Sequence, residues 1–301
     1  MTEPSTVALT APNHCFVEHY PGLVYKQFDE GLLMPGGRTL HFDLLKPVSP
    51  APTPLVVFVK GGGFRNVHRA RYLPALVPFA QTGVTVASVE YRTSNEVRFS
   101  SAVDDVRDAI RYLRRHAAAL GIDPAAVAIW GNSAGASIAS TVGAAPADAE
   151  DGVCAVASWY GVHDPAAVSA YQEADSPIRS ALGPPGPGPD RWFCPSDHVT
   201  ADSAPSILVH GTDDTVVDVS QSLALATELD RHGVPHEVVL VKGGVHSFAQ
   251  MCTRSDALPR TFAFLGAHLR RAALRAEHPP SDAVGTAAPV TGRGCGHPAT
   301  A

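Results

Sequence analysis

Apolar positions in this chain fall into short unbroken runs that alternate with longer stretches of helical spacing. Leu55-Val56-Val57-Phe58-Val59 is apolar throughout, and Val84–Val89, Val127–Trp130, Val153–Trp159, Ile207–Val209 and Val238–Val241 read alike. Such runs suit strands covered on both faces, as in a parallel sheet. Two earlier stretches, Leu23–Phe28 and Arg38–Leu45, alternate apolar and polar residues around a Met34-Pro35-Gly36-Gly37 turn signal, so the sheet is expected to start antiparallel. Helical spacing appears in Arg71–Gln81, with Leu73, Leu76, Val77 and Ala80 on one face, and in Val103–Leu120. In the second, Asp104, Asp105 and Asp108 precede Arg111, Arg114 and Arg115, an order that complements the helix dipole. Ser220–His232 and a final stretch marked by Leu258, Phe262, Leu265, Leu269 and Ala272 are also helical. Alternating strands and helices predict an α/β fold: a mostly parallel central sheet of about eight strands with helices on both faces.

Three segments break the pattern. Residues 1–20 read as loosely ordered, 165–204 as a lid or insert, and 277–301 as a disordered tail, leaving 21–276 as the folded domain. The insert carries a weak helix near 166–174 and then Gly183-Pro184-Pro185-Gly186-Pro187-Gly188-Pro189, a loop composition. The tail is Ala, Gly, Pro and Thr without periodicity.

Charge and composition narrow the function. The 301 residues carry a formal net charge of −6 with no basic run, which argues against nucleic acid. No apolar run reaches membrane-spanning length. Five scattered cysteines, Cys15, Cys154, Cys194, Cys252 and Cys295, form no C-x-x-C and read as free thiols of a reducing compartment. His14, Cys15 and His19 match no usual zinc spacing. The expectation is a cytoplasmic protein without metal or cofactor, a monomer or homodimer.

The chemistry concentrates at Gly131-Asn132-Ser133-Ala134-Gly135. A buried strand precedes this G-x-S-x-G and the small apolar run Ala136–Val142 follows it, so Ser133 sits at a sharp strand-to-helix turn. Glycine at each end admits the turn, and the following helix aims its first N–H groups at any negative charge forming there. A serine hydroxyl needs a base, usually a histidine oriented by a carboxylate. Asp214 follows one late strand and His246 the next, in a Gly-rich loop; Asp213 competes for the acid role. Stabilising an oxyanion requires the N–H of Ala134 and donors from a second loop, which Gly61-Gly62-Gly63 can supply at the end of the third strand.

These residues, with Tyr91-Arg92, Tyr160-Gly161, Asp164, His210-Gly211-x-x-Asp214 and His246-Ser247-Phe248, resemble the α/β-hydrolase fold esterases and lipases, in the group of hormone-sensitive-lipase-like and BD-FAE-type carboxylesterases. The resemblance implies a catalytic triad of Ser133, Asp214 and His246. The acid is the fifth residue of the H-G-x-x-D stretch, which selects Asp214 over Asp213. It also implies oxyanion donors on Gly62, Gly63 and Ala134, and a small-molecule ester as substrate. In one respect the chain departs from the family: Lys60 stands where a loop-bracing histidine is usual. Lysine offers donors and no acceptor. Two roles are open to it, a brace behind the oxyanion loop or a partner for an anionic substrate group. The implied reaction is cleavage of a carboxylic ester through an acyl-enzyme. An arylformamidase, amidase or lactonase on the same triad, or a non-hydrolytic cyclase or ligand-binding member of the fold, are the alternatives.

Overall fold

A computed structural model describes residues 15–28, 37–65, 68–144, 150–165 and 194–278. Its framework is one eight-stranded sheet: β1 (Val17–Phe28), β2 (Arg38–Pro47), β3 (Thr53–Val59), β4 (Thr85–Val89), β5 (Ile122–Asn132), β6 (Val156–Trp159), β7 (Ser206–Gly211) and β8 (His236–Val241). The spatial order is β1-β2-β4-β3-β5-β6-β7-β8. β2 runs antiparallel to both β1 and β4, and every pairing from β4 to β8 is parallel. Seven helices occur among the described residues: α1 (Leu73–Ala80), α2 (Phe99–Arg115), α3 (Ala117–Leu120), α4 (Ala134–Ala144), α5 (Ser220–Arg231), α6 (Phe248–Arg254) and α7 (Ala257–Glu277).

The unbroken apolar strands are explained by helices on both sides. Leu55 to Val59 of β3 are each 0% exposed. Val57 and Val59 face a core shared with Ile110 and Leu113 of α2 and Ile138 of α4. Val56 and Phe58 face the opposite core, with Leu76 and Phe79 of α1, Phe248 of α6 and Leu265 of α7. Each such side chain contributes roughly 1.5–3 kcal/mol of burial, so the centre of the sheet is the firmest part of the molecule. The carboxyl ends of β3, β5, β7 and β8 therefore hold their loops on a rigid edge.

Several boundaries differ from the sequence-based expectation. β1 begins at Val17 rather than Leu23, so residues 17–20 are strand and not a loose terminus. Its ladder to β2 slips between Tyr20 and Leu23 and again between Val24 and Lys26, and those bulges scramble the alternation that marks a strand. The predicted helix 103–120 starts at Phe99, whose ring meets Phe64 edge-on at 5.4 Å, and breaks at His116 before a short α3. α6 was not expected; seven residues with only Phe248 and Met251 buried are too few to show a period. Residues 166–193, 279–301 and Met34 to Gly36 lie outside the described residues, and with them most of the expected insert, the tail and the turn signal.

Asp105 does more than complement a dipole. It is fully buried, accepts Arg92 Nε and Nη2 at 2.8 and 2.9 Å and the Arg92 backbone N–H at 3.0 Å, and meets Lys26 Nζ at 2.8 Å. This ties the end of β4 to α2 and β1. Removing one member of such a buried group leaves the others unpaired. Asp105→Ala is expected to cost about 3–5 kcal/mol in urea unfolding. A loss under ~1 kcal/mol, the range of exposed pairs, would show the group to be solvated.

Candidate active site

Ser133 is the pivot of the turn between β5 and α4. Its φ of +52° lies in the left-handed region, rarely used by a residue with a Cβ. Two glycines make the turn possible by their lack of a side chain. A Cβ on Gly131 would lie 2.1 Å from Gly135 O, and one on Gly135 would lie 2.0 Å from Val59 O. α4 thus enters pressed against the end of β3. The strained residue is pinned by its own backbone: Ser133 N–H donates to Trp159 O at 2.8 Å, and Ala136 N–H to Ser133 O at 2.8 Å.

The structure brings Ser133, His246 and Asp214 into one chain of hydrogen bonds. Ser133 Oγ lies 2.8 Å from His246 Nε2, and His246 Nδ1 lies 2.7 Å from Asp214 Oδ2. A carboxylate only accepts, so the imidazole carries its proton on Nδ1 and presents Nε2 as acceptor to the serine hydroxyl. The other carboxylate oxygen, Oδ1, takes the N–H groups of Val216 and Val217, each at 2.9 Å. Burial alone would raise the pKa of Asp214. The neighbouring His210 and His246 and the Val217 N–H outweigh it and hold the carboxyl well below the usual range. His210 is fixed in turn by Ser222 Oγ at 2.7 Å and Val217 O at 2.9 Å, and its Nε2 lies 3.5 Å from Asp214 Oδ2. Asp213 points elsewhere: its carboxylate accepts from Thr212 Oγ1 at 2.8 Å.

A cavity of about 740 Å³ opens over Ser133 and His246, walled by Tyr72, Tyr160, Phe248 and the backbone of Gly62 and Gly63. Gly62 (φ +130°) and Gly63 (φ +61°) turn the loop after β3, and no acceptor among the described residues is bonded to either N–H. Ala134 opens α4, so its N–H has no partner within the helix. Gly62 and Gly63 thus line the cavity with Ser133, and the N–H groups of Gly62, Gly63 and Ala134 have no hydrogen-bond partner among the described residues. Cys252 also lines the cavity, but burial pushes its thiol up to about 12, which keeps it protonated and poorly nucleophilic. Among the described residues no group of three or more His, Cys, Asp or Glu side chains could hold a metal ion.

The sequence model of the BD-FAE family matches residues 42–229, well over half of the chain. The chain belongs to the BD-FAE family. Among characterised relatives, esterase LipQ of Mycobacterium tuberculosis is 27% identical over 213 residues, 65% of this chain and 51% of LipQ. Ethyl acetate hydrolase of Pseudomonas putida is 28% identical over 248 residues, 74% of this chain and 76% of that enzyme. The chain spans about half the length of LipQ and of the related LipM. A truncated carbohydrate esterase from gut microbiota superposes with a TM-score of 0.72 at 22% identity, over 86% of this chain and 99% of that one. Esterase 2 of Thermogutta terrifontis with propionate bound gives 0.66 at 25% identity, over 86% and 94%. The fold is that of the α/β-hydrolases.

Within this BD-FAE chain several residues around the site were not singled out by sequence reasoning. Asn132 is the variable position of G-x-S-x-G, yet its Oδ1 accepts the Gly61 N–H at 3.0 Å and so joins the turn at Ser133 to the glycine loop. Tyr160 (φ +44°) sets its ring edge-on to His246 at 4.6 Å. Tyr91 donates its hydroxyl to Lys60 O at 2.9 Å. No spacing rule marks any of these; each contact joins the ends, or the loops that follow the ends, of different strands.

Lys60 departs from both roles left open for it. It is 1% exposed and absent from the cavity wall, so it does not face a substrate. Its Nζ has no hydrogen-bond partner among the described residues and sits over the Tyr91 ring at 4.3 Å, so it does not brace the loop by donating either. The brace is the bond from Tyr91 to the Lys60 carbonyl. Burial lowers the Lys60 pKa from its ordinary 10.5 to about 8. Between those two values the unfolded chain holds the extra proton, so stability rises with pH there, and below about 8 the fold carries the full cost of a buried charge. Lys60→Met is therefore expected to stabilise the protein by about 1–3 kcal/mol at pH 7. The gain should shrink towards pH 10 when urea midpoints are compared across pH. A variant less stable than wild type at pH 7 would mean that the cation–ring contact outweighs desolvation.

Proposed function

We propose that this protein is a serine hydrolase that cleaves a carboxylic ester through an acyl-enzyme. The observation that carries the reading is the unbroken chain Ser133–His246–Asp214 opening on a cavity bordered by Gly62 and Gly63. The esterase names of its relatives support the same class. In this scheme His246 Nε2 takes the Ser133 hydroxyl proton as Oγ attacks the ester carbonyl. The negative charge on the carbonyl oxygen is met by the N–H groups of Gly62, Gly63 and Ala134, aimed at a position that becomes charged only in the transition state. Asp214 holds the imidazole in the productive tautomer and stabilises the imidazolium. His246 then gives its proton to the departing alkoxide, leaving an acyl group on Ser133. A water, deprotonated by the same nitrogen, releases the acid and restores the serine.

Ser133→Ala is expected to lower kcat by roughly 10⁴-fold or more, with an unchanged circular dichroism spectrum. Retained activity would remove Ser133 from the mechanism. The acid is tested by a pair of variants: Asp214→Asn should cost about 10³–10⁴-fold in kcat because the imidazolium loses its partner. Asp213→Asn should stay within about twofold; equal losses would dismiss the choice of Asp214. Substrate class is read from a panel of p-nitrophenyl esters, N-formylkynurenine and simple lactones, with short esters expected to turn over fastest. Preference for the formamide or a lactone would move the protein to another reaction class.

A further inference from the structure

The wall of the cavity is apolar and aromatic apart from a few hydroxyls, an amide and one cation. Arg71 is the one Lys, Arg, Asp or Glu among the described residues that line it. Arg71 belongs to the short turn Arg69–Tyr72 that leads into α1. Its guanidinium lies 5.8 Å from the Tyr72 ring and has no acidic partner among the described residues. Arg69, two positions earlier, shows the contrast: it is committed to Asp43 at 2.6 Å and Glu90 at 2.7 Å. Between Gly63 and Leu73 the sequence supplies Arg65, His68, Arg69 and Arg71 and no acid, in a chain whose net charge is −6. Arg71 thus places a positive charge at the wall of the site, against the overall charge of the protein. A cation at the edge of a low-dielectric cavity, without a protein counter-ion, favours an anionic ligand more than the same residue would on an open surface.

We infer that Arg71 is a specificity-determining residue that receives a carboxylate carried by the ester substrate, separated from the reacting carbonyl by an apolar spacer lying along Tyr72 and Phe248. The inference rests on the ester-hydrolase reading and adds the substrate's charge to it. Guanidinium suits the task because its planar fork matches a carboxylate with two parallel N–H···O bonds. The contact is made equally in ground and transition states, so it should act through KM. Because Arg71 is exposed, part of its effect is screened by solvent and salt.

The test uses matched pairs of esters, one member of each carrying a carboxylate and the other neutral. Mono-4-nitrophenyl succinate against 4-nitrophenyl butyrate places the carboxylate on the acyl side. 4-Acetoxybenzoate against its methyl ester places it on the leaving group. Wild-type protein should prefer the anionic member of at least one pair in kcat/KM. Arg71→Gln should lower that anionic-to-neutral ratio about tenfold, through the KM of the anionic ester, and Arg71→Lys should restore part of it. The wild-type preference should also weaken as salt rises from 20 to 500 mM. A residue that merely shaped the wall would change both members of a pair alike, so a ratio that stays within twofold in Arg71→Gln overturns the assignment while leaving ester hydrolysis intact. Failure of the wild-type protein to turn over any of the four esters would instead bring down the hydrolase reading, and this inference with it.

Discussion

The contact on which the site depends is the seating of α4 against the end of β3. Gly135 rests on Val59 O so closely that a Cβ would overlap it, and Lys60 O is the next atom such a Cβ would meet, at 2.7 Å. That approach forces the chain to reverse within a few residues after β5, which puts Ser133 at positive φ. Backbone in that region costs of order 1–3 kcal/mol for a residue other than glycine. The cost is offset locally by the Ser133 N–H bond to Trp159 O and globally by α4, whose residues are all buried. It also sets distances. β3 and β5 are neighbours in the sheet, so the loop leaving β3 must pass beside the turn leaving β5. Asn132 Oδ1 closes that gap by taking the Gly61 N–H. The proposed nucleophile and the proposed oxyanion donors are thus held by one packing contact and one hydrogen bond.

Charge is handled differently on the two sides of that contact. Away from the cavity, acids are matched: buried Asp105 with Arg92 and Lys26, and buried Asp43 and half-buried Glu90 with Arg69. These groups hold the ends of β2 and β4 to their surroundings. At the site itself Asp214 is kept ionised mainly by hydrogen bonds rather than by a full cation, with two backbone N–H groups on one oxygen and histidines by the other. A strong permanent cation there would compete with His246 for the carboxylate and weaken its hold on the imidazole. His210, whose Nε2 donates to Val217 O, stiffens the turn around Asp214.

Most of the framework was legible because its strands are fully covered. A run such as Leu55–Val59 has few alternatives, and the helix with Val106, Ile110 and Leu113 inward declares itself by period. The turn at Ser133 and the loop of His246 were also readable, because each follows a strand in the expected order; Asp214 was separated from Asp213 only by the family resemblance, and the structure sets Asp214 against His246 and Asp213 against Thr212. What was hidden depended on contacts between distant segments. β1 extends beyond its alternating stretch because its bulges break alternation at the sheet edge. α6 is held by Phe248, which packs on Phe58 at 5.8 Å and Tyr72 at 4.7 Å, contacts a seven-residue window cannot reveal. Asn132 and Tyr91 hold the backbone of another segment by hydrogen bonds, and such bonds leave no pattern along the chain.

The position of Lys60 shows how a motif can change its side chain and keep its geometry. A histidine in this place would brace the glycine loop through ring nitrogens. Here the loop is held through its backbone instead, by Tyr91 Oη on Lys60 O and Asn132 Oδ1 on Gly61 N. Those two bonds flank the peptide between residues 60 and 61, immediately before the glycines, and neither uses the side chain of residue 60. That side chain is then free to differ provided it fills the space and tolerates burial. Lysine does so with its stem packed and its ammonium over the Tyr91 ring, a contact that attracts without requiring an acceptor. The same tyrosine therefore serves twice, holding the carbonyl with its hydroxyl and the amine with its face. Loss of the tyrosine hydroxyl and loss of the lysine charge are consequently different lesions: the first releases the loop, and the second only relieves a buried charge.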